Sequence, residues 1–236
     1  MDTKAALKDR LKLAVQARDA LGNLVMRANV RTDEDAVIAM ALCLTIQELF
    51  ASVILLTDNG LASHAPSHVR TMLEGLADLR NIADDATYIE QMRFEDARTN
   101  LKLFERYSAV PGMPQEAVDR LKEWSGKAQP VFDAGKAKGY KKLWIEDKLK
   151  MAGLEQEYVS YSFLCGFTHN QFTALVARHG KAELRYLYEP PYETMVGILG
   201  LGLSIAGKAI QNVSSFSDLT DADIKVVVDE IDATWG

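Results

Sequence analysis

From Ala36 to Leu56 this chain is apolar almost all the way round a helical turn, interrupted only by Thr45, Gln47, Glu48 and Ser52. A helix of that kind leaves no face for water, so it must lie among other helices or in a bilayer. Its 21 residues are enough to cross the hydrocarbon core of a membrane. Against that stand Glu48 near the middle, dilution by Ala and Cys, and the lack of a basic cluster at either end. The expectation is a central helix surrounded by others, with no membrane association. Thr32 offers a capping hydroxyl ahead of Asp33, Glu34 and Asp35, whose carboxylates suit the positive end of a helix. Thr57-Asp58-Asn59-Gly60 ends the helix with Gly near C′.

Most of the remaining chain also carries the helical period. Leu7, Leu11, Ala14, Leu21 and Leu24 mark an amphipathic helix over about residues 3 to 29. Ser63 caps a helix from His64 to Ala83, with Pro66 tolerated in its first turn. Asp84-Asp85 opens the next, to about Tyr107, and further helices are expected over Gln115–Ser125, Lys141–Met151 and Gln156–Phe167. Gly126, Pro130, Gly135 and Gly139 break the stretch between the first two of these. Ala174–Arg178 and Glu183–Leu187 flank His179-Gly180-Lys181, which predicts a small β-hairpin near 174–187. After Pro190-Pro191 a Gly-rich helix (191–212) is apolar from Thr194 to Gly207, too short there to span a membrane, and small enough in profile to let another helix approach. Asp218 to Trp235 reads as a last, acidic helix. The predicted fold class is all-α, a multi-helix bundle around a central apolar helix with one hairpin, as a single domain over 1–236.

At 236 residues the chain is of one-domain size, and its net charge of −6 gives no global nucleic-acid-binding character. Cys43 and Cys165 lie in apolar runs and form no disulfide framework, and the chain starts on a charged Met1-Asp2-Thr3-Lys4. Both features predict a cytoplasmic protein. One segment departs from the average. Residues 120–150 hold nine Lys or Arg against four acids, a local +5 that leaves −11 elsewhere. Trp124, Phe132, Tyr140 and Trp144 are interleaved with them. Cations for phosphates and rings for stacking would suit nucleic acid; a solvated helical face with core anchors fits the same pattern.

Two polar groupings could carry chemistry. Arg70 and Glu74 are four apart on one helix face. If that face is apolar, the guanidinium needs a carboxylate or a bound anion; if it is exposed, the pair is worth only about 0.2–0.5 kcal/mol. Tyr158, Tyr161, Ser162, Cys165 and His169 form a second stripe at i, i+3, i+4, i+7 and i+11. Buried, these polar groups must find hydrogen-bond partners, which Arg70, Glu74 or Glu48 could supply. His169, at a helix C-terminus, is either a cap or an imidazolium titrating near neutral pH.

An alanine-rich helix, the Asn59-Gly60-Leu61 turn, Arg70-x-x-x-Glu74 with Arg80-Asn81 following, then Tyr158-x-x-x-Ser162 and a terminal His169, resembles a family of uncharacterised bacterial and phage helical proteins. That family, a domain of unknown function, is similar in outline to the HEPN bundles of toxins and defence systems. The resemblance covers about residues 35 to 185. It implies an all-helical bundle in which Arg70, Glu74 and His169 converge and, more distantly, RNA cleavage. HEPN ribonucleases carry R-x4–6-H within one helix, whereas here Arg70 follows His68 and Arg178 adjoins His179.

The expected function is therefore a cytosolic effector binding or processing a phosphate-bearing ligand, RNA or a nucleotide. Arg70 would neutralise phosphate, Glu74 orient it and His169 transfer protons, with Arg80, Asn81, Tyr161, Ser162, Asn170 and Glu48 as ligand-binding residues. The alternative is a non-catalytic scaffold that homodimerises through the Gly-rich helix 191–212 and the aromatic hairpin. No cofactor is expected and no metal, since the His64/His68 pair lacks a further ligand in register. Dinucleotide, P-loop, zinc-protease and nucleophile-elbow motifs are absent from the sequence.

Overall fold

Asp33, not Thr32, caps the apolar helix: its side chain accepts from the Ala36 amide at 3.0 Å. In the computed structural model, which describes residues 3–169, 171–180 and 183–236, that helix is α2 (Glu34–Asp58). The others are α1 (Thr3–Arg27), α3 (Ala65–Asp84), α4 (Tyr88–Ser108), α5 (Gln115–Ala137), α6 (Ile145–Met151), α7 (Glu157–Thr168), α8 (Phe172–His179), α9 (Tyr192–Ile210) and α10 (Asp221–Trp235). The all-helical expectation holds. Among the described residues there is no strand, only an isolated bridge between Val30 and Ser217.

The helices group into two compact units, Met1–Asp84 with Ile145–Gly236, and Asp85–Trp144. In the first, α2 packs against α1, α3 and α9. Phe50, Ile46, Leu21, Leu73 and Leu76 fill the centre and are almost wholly buried. A fourth face of α2, carrying Val37, Leu44 and Leu55, is exposed. Two helices, α2 and α9 with its trailing 3-10 turn, are long and apolar enough to cross a membrane by length and composition; for α9 this corrects the expectation from Thr194–Gly207 alone, because the helical stretch runs from Tyr192 to Ser215. The small residues of α9 are used inside this unit. A Cβ on Gly202 would sit 3.1 Å from Phe50 of α2, and one on Gly200 3.4 Å from Trp235 of α10. Burial pushes the Cys43 thiol up to about 12, so it is an inert core group.

The second unit is the α4–α5 pair. The expected break at Gly126 and Pro130 does not occur: α5 runs through both. A proline in a helix interior costs about 3 kcal/mol because its ring meets the carbonyl of residue i−4. Packing offsets that cost, because continuing the helix stacks Phe132 on Phe94 at 5.3 Å and brings Gly135 onto the same ring. The expected start of α6 at Lys141 also shifts, to Ile145. The intervening backbone is held by α4 side chains instead, Gln91 donating to the Lys141 carbonyl and Glu95 accepting from the Leu143 amide.

The hairpin predicted near 174–187 is replaced by α8 and an irregular segment; Lys181 and Ala182 lie outside the described residues. The reason is local. Gly180 takes φ +81° and its amide donates to the Val176 carbonyl, so the glycine read as a hairpin turn ends a helix instead. His179 and Arg185 then tie the segment back, the Arg185 amide donating to the His179 carbonyl at 2.9 Å.

Candidate functional site

Arg70 and Glu74, one turn apart on α3, meet Tyr161 of α7. Arg70 Nη2 donates to Glu74 Oε1 at 2.7 Å and to the Tyr161 hydroxyl at 2.8 Å, while Arg70 Nε reaches the same hydroxyl at 3.2 Å. The Tyr161 O–H in turn donates to Glu74 Oε1 at 2.8 Å. Three groups thus close a ring in which every pair is bonded. Side-chain exposure is 19% for Arg70 and 34% for Glu74, so this is neither an open surface ion pair nor a sealed one. Arg70 Nη1 has no acceptor among the described residues. Burial alone would lower the Arg70 pKa, but the Tyr161 and Glu74 contacts outweigh it and raise the value, which keeps the cation permanent. Tyr161 is raised, first by burial and also by Glu74 and the Cys165 side chain, so it stays a neutral phenol.

The hydroxyl is the hub, and Tyr161 is buried. Tyr161→Phe removes the acceptor for two guanidinium N–H groups and the donor to Glu74. The expected loss is about 1–3 kcal/mol, read from the urea midpoint at unchanged m-value.

The other expected site residues go elsewhere. His169 is exposed at the C-cap of α7, and its amide donates to the Cys165 carbonyl. Eight residues of helix put it about 12 Å along the axis from Tyr161. No side-chain hydrogen bond joins it to Arg70 among the described residues. Glu48 is exposed on α2, and Asn170 lies outside the described residues. Arg80 and Asn81, further along α3, bind carbonyls instead: Arg80 Nη1 donates to Ala152 at 3.4 Å and Asn81 Nδ2 to Lys148 of α6 at 3.1 Å. Asn81 is buried. Ser162, next to Tyr161, points away from the cluster and lines a separate cavity.

That cavity, of about 470 Å³, lies among α7, α8 and the start of α9. Pro66, Phe163, Phe167, Pro190 and Ile198 give it apolar walls. Arg178 of α8 also lines it and is only 7% exposed. Its Nη2 donates to the Ser63 carbonyl at 2.7 Å, and its guanidinium lies 5.5 Å from the Phe167 ring centre. Its Nε is buried without a partner, and it forms no ion pair among the described residues. An unpaired charge in such a place costs several kcal/mol. Burial lowers its pKa from the ordinary arginine value, with no carboxylate among the described residues to restore it.

The basic stretch 120–150 is largely neutralised where it stands. Arg120, Lys122 and Lys127 pair with Glu116, Asp119 and Glu123 along α5, Lys138 with Glu90, and Lys148 with Asp78. Phe132 and Tyr140 pack on Phe94, whereas Trp124 and Trp144 are exposed and Lys142 covers the Trp144 ring at 3.4 Å. No group of three or more His, Cys, Asp or Glu able to hold a metal ion occurs among the described residues.

A helical protein with an Arg–Glu–Tyr ring between two helices, and an apolar cavity beside it, is the class these features define. The chain belongs to the DUF5677 family, a family of unknown function, which it matches over residues 36–185. That span runs from α2 through the segment after α8, so it contains Arg70, Glu74, Tyr161 and Arg178. No curated protein and no solved structure shows significant similarity to the chain.

Proposed function

We infer that this protein is a cytosolic helical effector that binds a phosphate-bearing ligand, a nucleotide or RNA, at the Arg70–Glu74–Tyr161 cluster. The observation that carries the reading is the held guanidinium. Glu74 and Tyr161 fix its plane from one side while Nη1 has no acceptor among the described residues. A planar cation locked in place loses little freedom on meeting a phosphate oxygen, which favours arginine over lysine for this task. The reading stops at binding. Proton transfer needs a group within hydrogen-bond reach of the reacting atom, and His169 stands about 12 Å along α7 from the cluster.

The test is what purifies with the protein. Mass spectrometry of the extracted, native chain should find nucleotide or short RNA, and none in Arg70→Ala. The Glu74–Tyr161 hydrogen bond does not involve Arg70, and a cooperative melting transition of the variant checks that lost loading is not lost folding. Empty wild-type protein, or equal loading of the variant, overturns the reading.

A second reading rests on a different observation. Leu184, Tyr186 and Leu187 are exposed, with Leu184 at 91% and Tyr186 at 89%. Large apolar side chains presented together suit a protein contact, so a non-catalytic, self-associating module would use this segment. Light scattering should then show a dimer that Leu184→Ser with Tyr186→Ser converts to monomer; a wild-type monomer removes this reading.

A further inference from the structure

The cavity at Arg178 has a feature that packing alone does not explain: a buried charge with no ion-pair partner among the described residues. Among the described residues, one protein acceptor, the Ser63 carbonyl, is provided for the guanidinium's five N–H groups. Buried Nε has none. His64 stands close by, and its imidazole is pushed below its ordinary value first by burial and then by the Arg178 charge. The positive charge here is that of Arg178, and no carboxylate pairs with it among the described residues. The walls around it are aromatic and aliphatic, and the volume of about 470 Å³ is that of a small-molecule pocket.

We propose that this cavity binds an organic monoanion, a carboxylate carried on an apolar ring or chain, with Arg178 taking the carboxylate and Phe163, Phe167 and Ile198 enclosing the body. One guanidinium matches one negative charge and the two oxygens of a carboxylate. A phosphate dianion would bring a second charge with no second cation and would find no use for the apolar walls. The unpaired charge is then a site awaiting its counter-ion, and the free protein tolerates it as binding sites tolerate strain elsewhere. This proposal is independent of the Arg70 reading: the residues, the ligand charge and the ligand body all differ.

Calorimetric titration of the full chain with 2-naphthoate, 2-naphthamide and inorganic phosphate tests it. Saturable binding of naphthoate is expected, with the amide and phosphate weaker by about tenfold or more. Arg178→Met should abolish the preference for acid over amide while leaving the melting temperature equal or higher, because it removes an unpaired buried charge. Thr194→Trp, at the exposed rim of the cavity, should block naphthoate without touching Arg178. Arg70→Ala should bind naphthoate as the wild type does. No naphthoate binding at millimolar concentration, or equal affinity for acid and amide, overturns the proposal. If Arg178→Met fails to fold, wild-type binding by Thr194→Trp overturns it equally.

Discussion

Phe50→Ala should cost about 3–5 kcal/mol and leave the chain close to unfolding at room temperature. Phe50 is fully buried at the centre of α2, where the side chain meets the space that Gly202 leaves on α9. Removing the ring opens a void that neither partner can fill. Gly202 has no side chain to move in, and the helices around α2 are fixed by their own buried residues. The loss therefore exceeds the transfer free energy of the ring alone, because the cavity term is added to it. Urea denaturation followed by circular dichroism measures it, and a loss below about 1.5 kcal/mol would mean that the α2–α9 contact is looser than described.

Gly135→Ala should destabilise α4 and α5 by about 1–3 kcal/mol, although alanine is the better helix former. A Cβ there would lie 2.6 Å from Phe94 Cδ2 and 3.0 Å from Phe94 Cβ. The second contact is with the root of the side chain, so a rotamer change does not relieve it. Phe94 is itself held between Phe132 and Tyr140. Hydrogen exchange should show faster exchange across Tyr88–Ala137 and unchanged protection in α2 and α3. Slower exchange in α4 and α5 would show that propensity outweighs the clash.

The helices were legible because the 3.6-residue period is written directly in the apolar positions, and α2 most clearly of all. What the sequence did not yield follows from interactions outside any local window. Pro130 signals a break by its own chemistry, and only Phe94, far away in sequence, offsets it. His179-Gly180 suits a hairpin turn and a helix C-cap equally, since both need the conformation that glycine supplies at φ +81°. The Arg70–Glu74 pair was readable from its spacing, and Tyr161 from the polar stripe on α7, because each lies within one helix. His169 was placed with them by the same stripe, but a stripe fixes only the side of a helix and not the position along it.

Arg178 was missed because the hairpin reading placed it at the end of a strand and not on a helix. A signal was present: within α8 its helical neighbours are Ala174 and Leu175, so no acid stands one turn back to pair with it. An arginine in an apolar helix with no acid in register must be exposed or find a partner on another element, and Arg178 is buried with the Ser63 carbonyl as its hydrogen-bond partner among the described residues.

The central claim is that the held Arg70 guanidinium is a ligand-binding group and not merely a tie between α3 and α7. Calorimetric titration of the native chain with ATP and with a short RNA, repeated on Arg70→Ala and Tyr161→Phe, tests this directly. The account predicts saturable binding of at least one ligand, weakened about tenfold or more when Arg70 is removed and weakened less when Tyr161→Phe frees the guanidinium to move. Absence of binding by the wild type at millimolar ligand, or the same affinity in Arg70→Ala, would contradict it and leave the cluster as a structural link.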